Sequence, residues 1–146
     1  MITKRILLIE DEEVLSRAIS AELEREGFKI IRAFNGEEGV KKAMSSKPNL
    51  ILLDLILPKK NGFEVLGELK QSTLTKNIPV IILSALDQDE EIKKGLKMGA
   101  DDYFVKSQHA LAEIVEKINS FFKSGTAAAG TSQGGRVVDL RDRKSH

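Results

Sequence analysis

Five short apolar runs alternate along the chain with five stretches whose apolar residues recur three and four positions apart. The runs are Arg5–Ile9, Lys29–Ala33, residues 50–54, Val80–Ser84 and Asp102–Val105. The first, third and fourth are almost uninterrupted, which is how strands buried on both faces read. Between them, Val14, Leu15, Ala18, Ile19 and Leu23 mark one helical face that stops at Gly27. Asn35 and Gly36 open a second helix, which ends before Pro48. Phe63, Leu66 and Leu69 mark a third, and Ile92 and Leu96 a fourth that closes at Gly99. Leu111, Ile114, Val115, Ile118, Phe121 and Phe122 form the last and clearest stripe. Core packing is the expected role of all these apolar residues. A fivefold strand–helix alternation with short connections predicts a parallel α/β sheet covered by helices on both sides, with right-handed crossovers.

Such sheets bind ligands beyond the carboxyl ends of their strands, near the point where strand order reverses. The strand ends should therefore carry any chemistry. The first ends in Glu10-Asp11, the third in Asp54, the fourth in Ser84 and the fifth in Lys106. Each has a bland explanation: Asp11 as a helix cap, Ser84 as a turn residue, Lys106 as a solvated charge. Convergence on one edge is the informative feature. Asp54 stands out, because a carboxylate closing the run Leu50-Ile51-Leu52-Leu53 serves no packing purpose. Three acids in one crevice repel unless a cation sits among them. Few hard oxygen ligands suit Mg²⁺. Lys106 adds a point charge and Ser84 a hydroxyl donor, and together these groups describe a phosphoryl-transfer pocket with an acyl-phosphate-forming carboxylate.

Composition narrows the classes. The 146 residues are 41% hydrophobic and 31% charged, with net charge +1 at pH 7. With no cysteine, disulfides, thiolate metal sites and cysteine nucleophiles are excluded. Two histidines are too few for a histidine-rich metal site. Near-neutral charge and 5% aromatic residues argue against direct nucleic-acid binding. The apolar run after Lys4-Arg5 stops at Glu10, too short for a signal peptide, and no run approaches the ~20 residues of a membrane span. A cytoplasmic location is expected. The periodic text fills residues 1–123. Residues 124–146 are rich in Gly, Ala, Ser and Thr, then carry Arg136, Arg141, Arg143 and Lys144 against Asp139 and Asp142. They read as a linker and a mildly basic tail, leaving the body slightly acidic. Val137, Val138 and Leu140 in that tail suit a short docking motif or a passive extension.

Taken in order, Ile9-Glu10-Asp11-Glu12-Glu13, the segment from Leu53-Asp54 through Pro58 to Gly62, Leu83-Ser84-Ala85, Gly99-Ala100-Asp101-Asp102-Tyr103 and Val105-Lys106 resemble the receiver domain of two-component response regulators. The resemblance runs from Lys4 to about residue 123. It implies a flavodoxin-like doubly wound sheet with strand order 2-1-3-4-5, in a stand-alone receiver with no effector domain. It implies that Asp54 accepts a phosphoryl group from a histidine kinase or phosphotransfer protein. Glu10, Asp11, Asp54 and the Ile56 carbonyl would ligate Mg²⁺. Lys106 would pair with the phosphoryl oxygens, Ser84 would hydrogen-bond them, and Tyr103 would turn inward. The output would be a changed surface on the fourth helix, fifth strand and fifth helix, including Lys93, Lys94 and Lys97, read by a partner protein. Beyond its own phosphorylation and dephosphorylation, no enzyme activity is implied. For the three lysines the plainer reading is a solvated helix face; for Tyr103 it is a half-buried ring at a strand edge.

Four positions depart from the common pattern. Glu10 replaces a more frequent Asp, Ser107 stands where proline and a cis peptide are usual, and Ile56 and Leu86 are apolar where other members carry polar groups that help water attack. The last pair implies slow self-dephosphorylation. Two rival readings follow: a pseudo-receiver that binds without phosphate, and a haloacid-dehalogenase-like phosphatase. The phosphatase needs its nucleophile after the first strand with a second Asp two residues on; Asp11 is followed there by Glu13.

Overall fold

Successive side chains of a strand point to opposite faces of its sheet, and here both faces are covered. The structure, a computed structural model, describes residues 3–123; the linker and tail expected over 124–146, with Val137, Val138 and Leu140, lie outside the described residues. The elements run β1 (Arg5–Ile9), α1 (Glu13–Arg25), β2 (Lys29–Ala33), α2 (Gly36–Ser46), β3 (Leu50–Leu53), α3 (Gly62–Gln71), β4 (Val80–Ser84), α4 (Asp89–Lys97) and β5 (Asp102–Val105). A short 3-10 turn, Lys106–Gln108, and a last helix, α5, over residues 111–123 follow. All strand pairs are parallel, in the order β2-β1-β3-β4-β5.

One face of the sheet presents Leu7, Ile9, Ile51, Leu53, Val80, Ile82, Tyr103 and Val105 to Val40 and Ala43 of α2, Val65, Leu66 and Leu69 of α3 and Ile92 of α4. The other presents Ile6, Leu8, Leu50, Leu52, Ile81, Leu83 and Phe104 to Ile19 and Leu23 of α1 and to Ile114, Val115, Ile118 and Phe121 of α5. Full burial of one such side chain stabilises the fold by about 1.5–3 kcal/mol. Two expectations need correction. Asp54 lies outside β3, although its N–H still donates to the Ile9 carbonyl (3.0 Å). Val14 is 77% exposed and packs in no core. It sits in the first turn of α1, at the sheet's carboxyl rim, beyond the last strand residue a side chain there could cover.

Register fixes the site. Ile9 pairs with Leu53 across β1 and β3, and Ser84 with Val105 across β4 and β5. Glu10, Asp54 and Lys106 each follow directly on these paired residues. The chain passes from β1 to β2 on one side and then to β3 on the other, so the crevice at β1 and β3 is the switch point of the sheet.

Candidate functional site at the carboxyl edge of the sheet

Asp54 and Glu10 are acids in buried surroundings, with side chains 4% and 1% exposed. Lys106 bridges them. Its Nζ donates to Asp54 Oδ2 at 3.1 Å and lies 2.9 Å from Glu10 Oε1. The other oxygens are held by backbone: Asp54 Oδ1 accepts from Ile56 N (3.2 Å), and Glu10 Oε2 from Glu12 N (3.1 Å). The long arm of Glu10 lets one carboxyl reach its own loop and Lys106 at once. Burial pushes the Glu10 carboxyl above the ordinary value; the Lys106 bond opposes this and the Asp54 charge adds to it. For Lys106, burial works against the ammonium, but the bond to Glu10 and the charges of Asp54 and Glu10 outweigh it, so its pKa is raised. The ammonium is therefore permanent near neutrality. The solvated reading of Lys106 is corrected by its 21% side-chain exposure and these two partners.

Asp11 joins the acids from the exposed side. Glu10, Asp11 and Asp54 can each offer a carboxylate oxygen such that all three lie within 4.8 Å of one another. An all-oxygen donor set of this size, open on one side, fits a hard divalent cation that keeps some of its water. Asp11 is not the cap of α1; that position is Glu12, whose side chain makes no capping bond.

The loop after Asp54 is folded back tightly. Asn61 caps α3 in a reciprocal pair with Glu64, Asn61 Oδ1 accepting from Glu64 N and Glu64 Oε1 from Asn61 N. Gly62 N donates to the Leu55 carbonyl at 2.9 Å. A Cβ on Gly62 would stand 2.3 Å from Leu55 Cα and 2.4 Å from the Asp54 carbonyl oxygen. Only glycine lets the start of α3 come so close to the backbone of Asp54 and Leu55. Ile56, in the same loop, is 52% exposed.

Ser84 is fully buried, and its Oγ accepts from Leu86 N at 3.3 Å, so the turn role expected of it is present. Tyr103 is buried too, at 1% exposure, which corrects the half-buried edge ring. Its hydroxyl donates to the Leu86 carbonyl at 2.7 Å. Burial, followed by the negative charges of Glu91, Asp54 and Asp87, drives the phenol pKa well above its usual value. Ser84, Leu86 and Tyr103 thus form one connected chain beside Asp54. The peptide after Lys106 is not cis; among the described residues no cis bond occurs. Lys93, Lys94 and Lys97 are exposed on α4, as the plain reading has it, and Lys94 Nζ stands 4.3 Å from the Phe63 ring centroid. Two features carried no signal that sequence reading used: the Leu86 carbonyl, a backbone atom, and His109, read only as one of two scarce histidines. A polar residue three positions after Lys106 was the available hint for His109.

No helix among the described residues is long and apolar enough to cross a membrane. The family described as response regulator receiver domain matches residues 6–119. The alkaline phosphatase synthesis transcriptional regulatory protein PhoP of Bacillus subtilis is 38% identical over 130 residues, which cover 89% of this chain and 53% of PhoP. The chain spans about half the length of the first curated relatives it matches. Among solved structures, the phosphorylated cyanobacterial phytochrome response regulator RcpA aligns with a TM-score of 0.75 at 31% identity, covering 86% of this chain and 97% of that one. The Mn²⁺-bound form of response regulator Rcp1 aligns with a TM-score of 0.71 at 32% identity, covering 84% and 96%. In sequence and in fold alike, the chain belongs to the response regulator receiver domain family of two-component systems.

Proposed function

We propose that this receiver is a phosphorylation-dependent switch whose acceptor is Asp54. The observation that carries the reading is a buried carboxylate at the end of β3 with an ammonium 3.1 Å away and two further acids beside it. The donor is a phosphohistidine of a histidine kinase or phosphotransfer protein. An Asp54 carboxylate oxygen attacks phosphorus, a P–O bond forms, the P–N bond breaks, and the imidazole leaves with a proton. The chain's own residues mainly position and neutralise. Lys106 turns from the carboxylate to the incoming phosphoryl oxygens, and Ser84 releases Leu86 N to donate its hydroxyl to them. Glu10, Asp11, Asp54 and the Ile56 carbonyl would hold Mg²⁺, which supplies charge neutralisation at the phosphoryl group when bound. The Mn²⁺-bound and phosphorylated relatives support this reading.

Phosphorylation adds about −1.5 to −2 charge beside Ser84 and Lys106. Release of Leu86 N by Ser84 frees the turn whose Leu86 carbonyl holds Tyr103, and so the change reaches α4 and β5. The surface of α4, β5 and α5 then binds a partner protein in the cytoplasm. The chain acts as a switch and not as an enzyme on other substrates. A phosphatase built on the first strand would need an aspartate nucleophile there with a second Asp two residues on, but Asp11 is exposed and is followed at that distance by Glu13, and the buried carboxylate that follows the first strand is Glu10.

Incubation with acetyl phosphate and Mg²⁺ tests the reading. Wild type should gain one acid-stable, base-labile phosphoryl group, and Asp54→Ala none. Incorporation into Asp54→Ala would sink the assignment. Absence of any Mg²⁺-dependent response to beryllofluoride would favour a phosphate-independent binding module.

A further inference from the structure

Lys106 is useful only if its ammonium is delivered to within about 3 Å of Asp54, and the segment that carries it has little to fix it. It begins the 3-10 turn Lys106–Gln108. Ser107 brings no ring to restrict the backbone, and Ser107 and Gln108 are both exposed. The next residue is different. The side chain of His109 is 5% exposed, although its backbone is in the open segment before α5. Its ring lies 5.3 Å from that of Phe104, tilted by 48°. Phe104 is a buried residue of β5, two positions before Lys106. On the other side, His109 Nδ1 stands 3.1 Å from Glu113 Oε2 in the first turn of α5. The turn bearing Lys106 is thus held at one end by strand pairing and at the other by the His109 side chain, wedged between sheet and helix just before Leu111 joins the core.

We propose that His109 is a positioning residue for the phosphoryl site, holding the Lys106 turn between β5 and α5 so that the ammonium stays on Asp54. The proposal rests on the reading of Lys106 as the cation of that site. It assigns the ring contact and the Glu113 contact separate parts: the first sets the depth of the turn, the second its direction along the helix axis. Misplacement of a reacting group by about 1 Å can cost on the order of 100-fold in rate.

A double-mutant cycle on the full chain tests it, with acetyl phosphate and Mg²⁺ as the probe. His109→Ala should slow phosphoryl incorporation at saturating donor by about tenfold or more. In a Lys106→Met background the same change should alter the rate by less than about twofold, because its effect acts through Lys106. His109→Phe, which keeps a ring on Phe104, should recover most of the rate. Equal proportional losses in both backgrounds, or no loss in either, would overturn the proposal. Should His109→Ala not fold, His109→Gln goes through the same cycle with the same criteria. The Nζ resonance of Lys106 gives an independent reading by NMR, identified by its disappearance in Lys106→Met. It should move on His109 substitution without any phosphodonor present, and an unmoved resonance overturns the proposal. A wild-type chain that takes no phosphoryl group would refute the Asp54 reading, and the resonance would still decide the role of His109.

Discussion

Two glycines in α3 lead to opposite expectations from the same substitution. At Gly62, an alanine Cβ would stand 2.3 Å from Leu55 Cα, 2.4 Å from the Asp54 carbonyl oxygen and 2.9 Å from Leu55 Cδ2. Only the last of these is the end of a flexible side chain. About 1 Å of room must come from backbone, so either α3 retreats or the Asp54–Leu55 peptide moves. Retreat breaks the bond from Gly62 N to the Leu55 carbonyl, worth about 1 kcal/mol. Overpacking adds about 1–3 kcal/mol. The helix preference of Ala over Gly returns at most about 1 kcal/mol, leaving Gly62→Ala destabilised by about 1–3 kcal/mol. At Gly67 the new Cβ meets only Met98 Cε, at 3.7 Å, an ordinary contact. Gly67→Ala should therefore stabilise by about 0.5–1 kcal/mol. Urea denaturation followed by circular dichroism measures both, with an unchanged slope showing that the surface exposed on unfolding is the same in each variant. A Gly62→Ala protein as stable as wild type, or a Gly67→Ala protein less stable than Gly62→Ala, would refute the packing argument. Should the peptide move instead of the helix, Gly62→Ala also slows phosphorylation while Gly67→Ala leaves it unchanged.

Tyr103 is the chain's one tyrosine, so phenolate absorbance reports it alone. Its raised pKa means that the native state keeps a proton the unfolded state loses above about pH 10. Stability from this group is full below that pH and falls as pH rises towards the native pKa. Native protein at pH 10.5–11 should thus show little phenolate until it unfolds, and Tyr103→Phe should lose less stability over that range. A phenolate signal from folded protein at its ordinary pH would contradict the burial argument. Val14→Ser should change stability by less than about 0.5 kcal/mol, whereas Ile19→Ala in the same helix should cost about 2–4 kcal/mol; thermal melts compare them. The aspartyl phosphate should persist for minutes or longer in the purified protein, with Ile56 and Leu86 apolar beside it. A lifetime of seconds would count against that reading.

β1, β3 and β4 were legible because burial on both faces leaves a run with hardly a polar residue, β2 and β5 because short apolar runs fall between helical stretches, and four of the five strands begin and end where those runs do. The fifth, β3, stops one residue early for a local reason: Asp54 keeps its N–H in the ladder while its side chain and the next peptide turn towards Lys106. Val14 misled because helical periodicity reports which face of a helix is apolar, not where the sheet beneath it ends. The members of the site were legible from the rule that parallel strands gather their carboxyl ends. Their mutual contacts were not. Nothing in the order of residues says that Lys106 touches both acids, that a backbone carbonyl holds Tyr103, or that His109 is buried. Those facts depend on rotamers and loop paths, which the sheet constrains and the pattern does not spell out.

The ion pair between Lys106 and Asp54 joins residues 52 positions apart, and this has a consequence for synthesis on the ribosome. Asp54 emerges early, with Glu10 and Asp11 already available. Its cation is among the last described groups to be made, and the strand that delivers it can pair only after β4 has joined the sheet. A nascent chain therefore carries Asp54 without its lysine through nearly half of the described residues. Under the proposed function, competence to receive a signal arrives with the completed sheet, so a phosphoryl group on Asp54 would mark a folded molecule as well as an informed one.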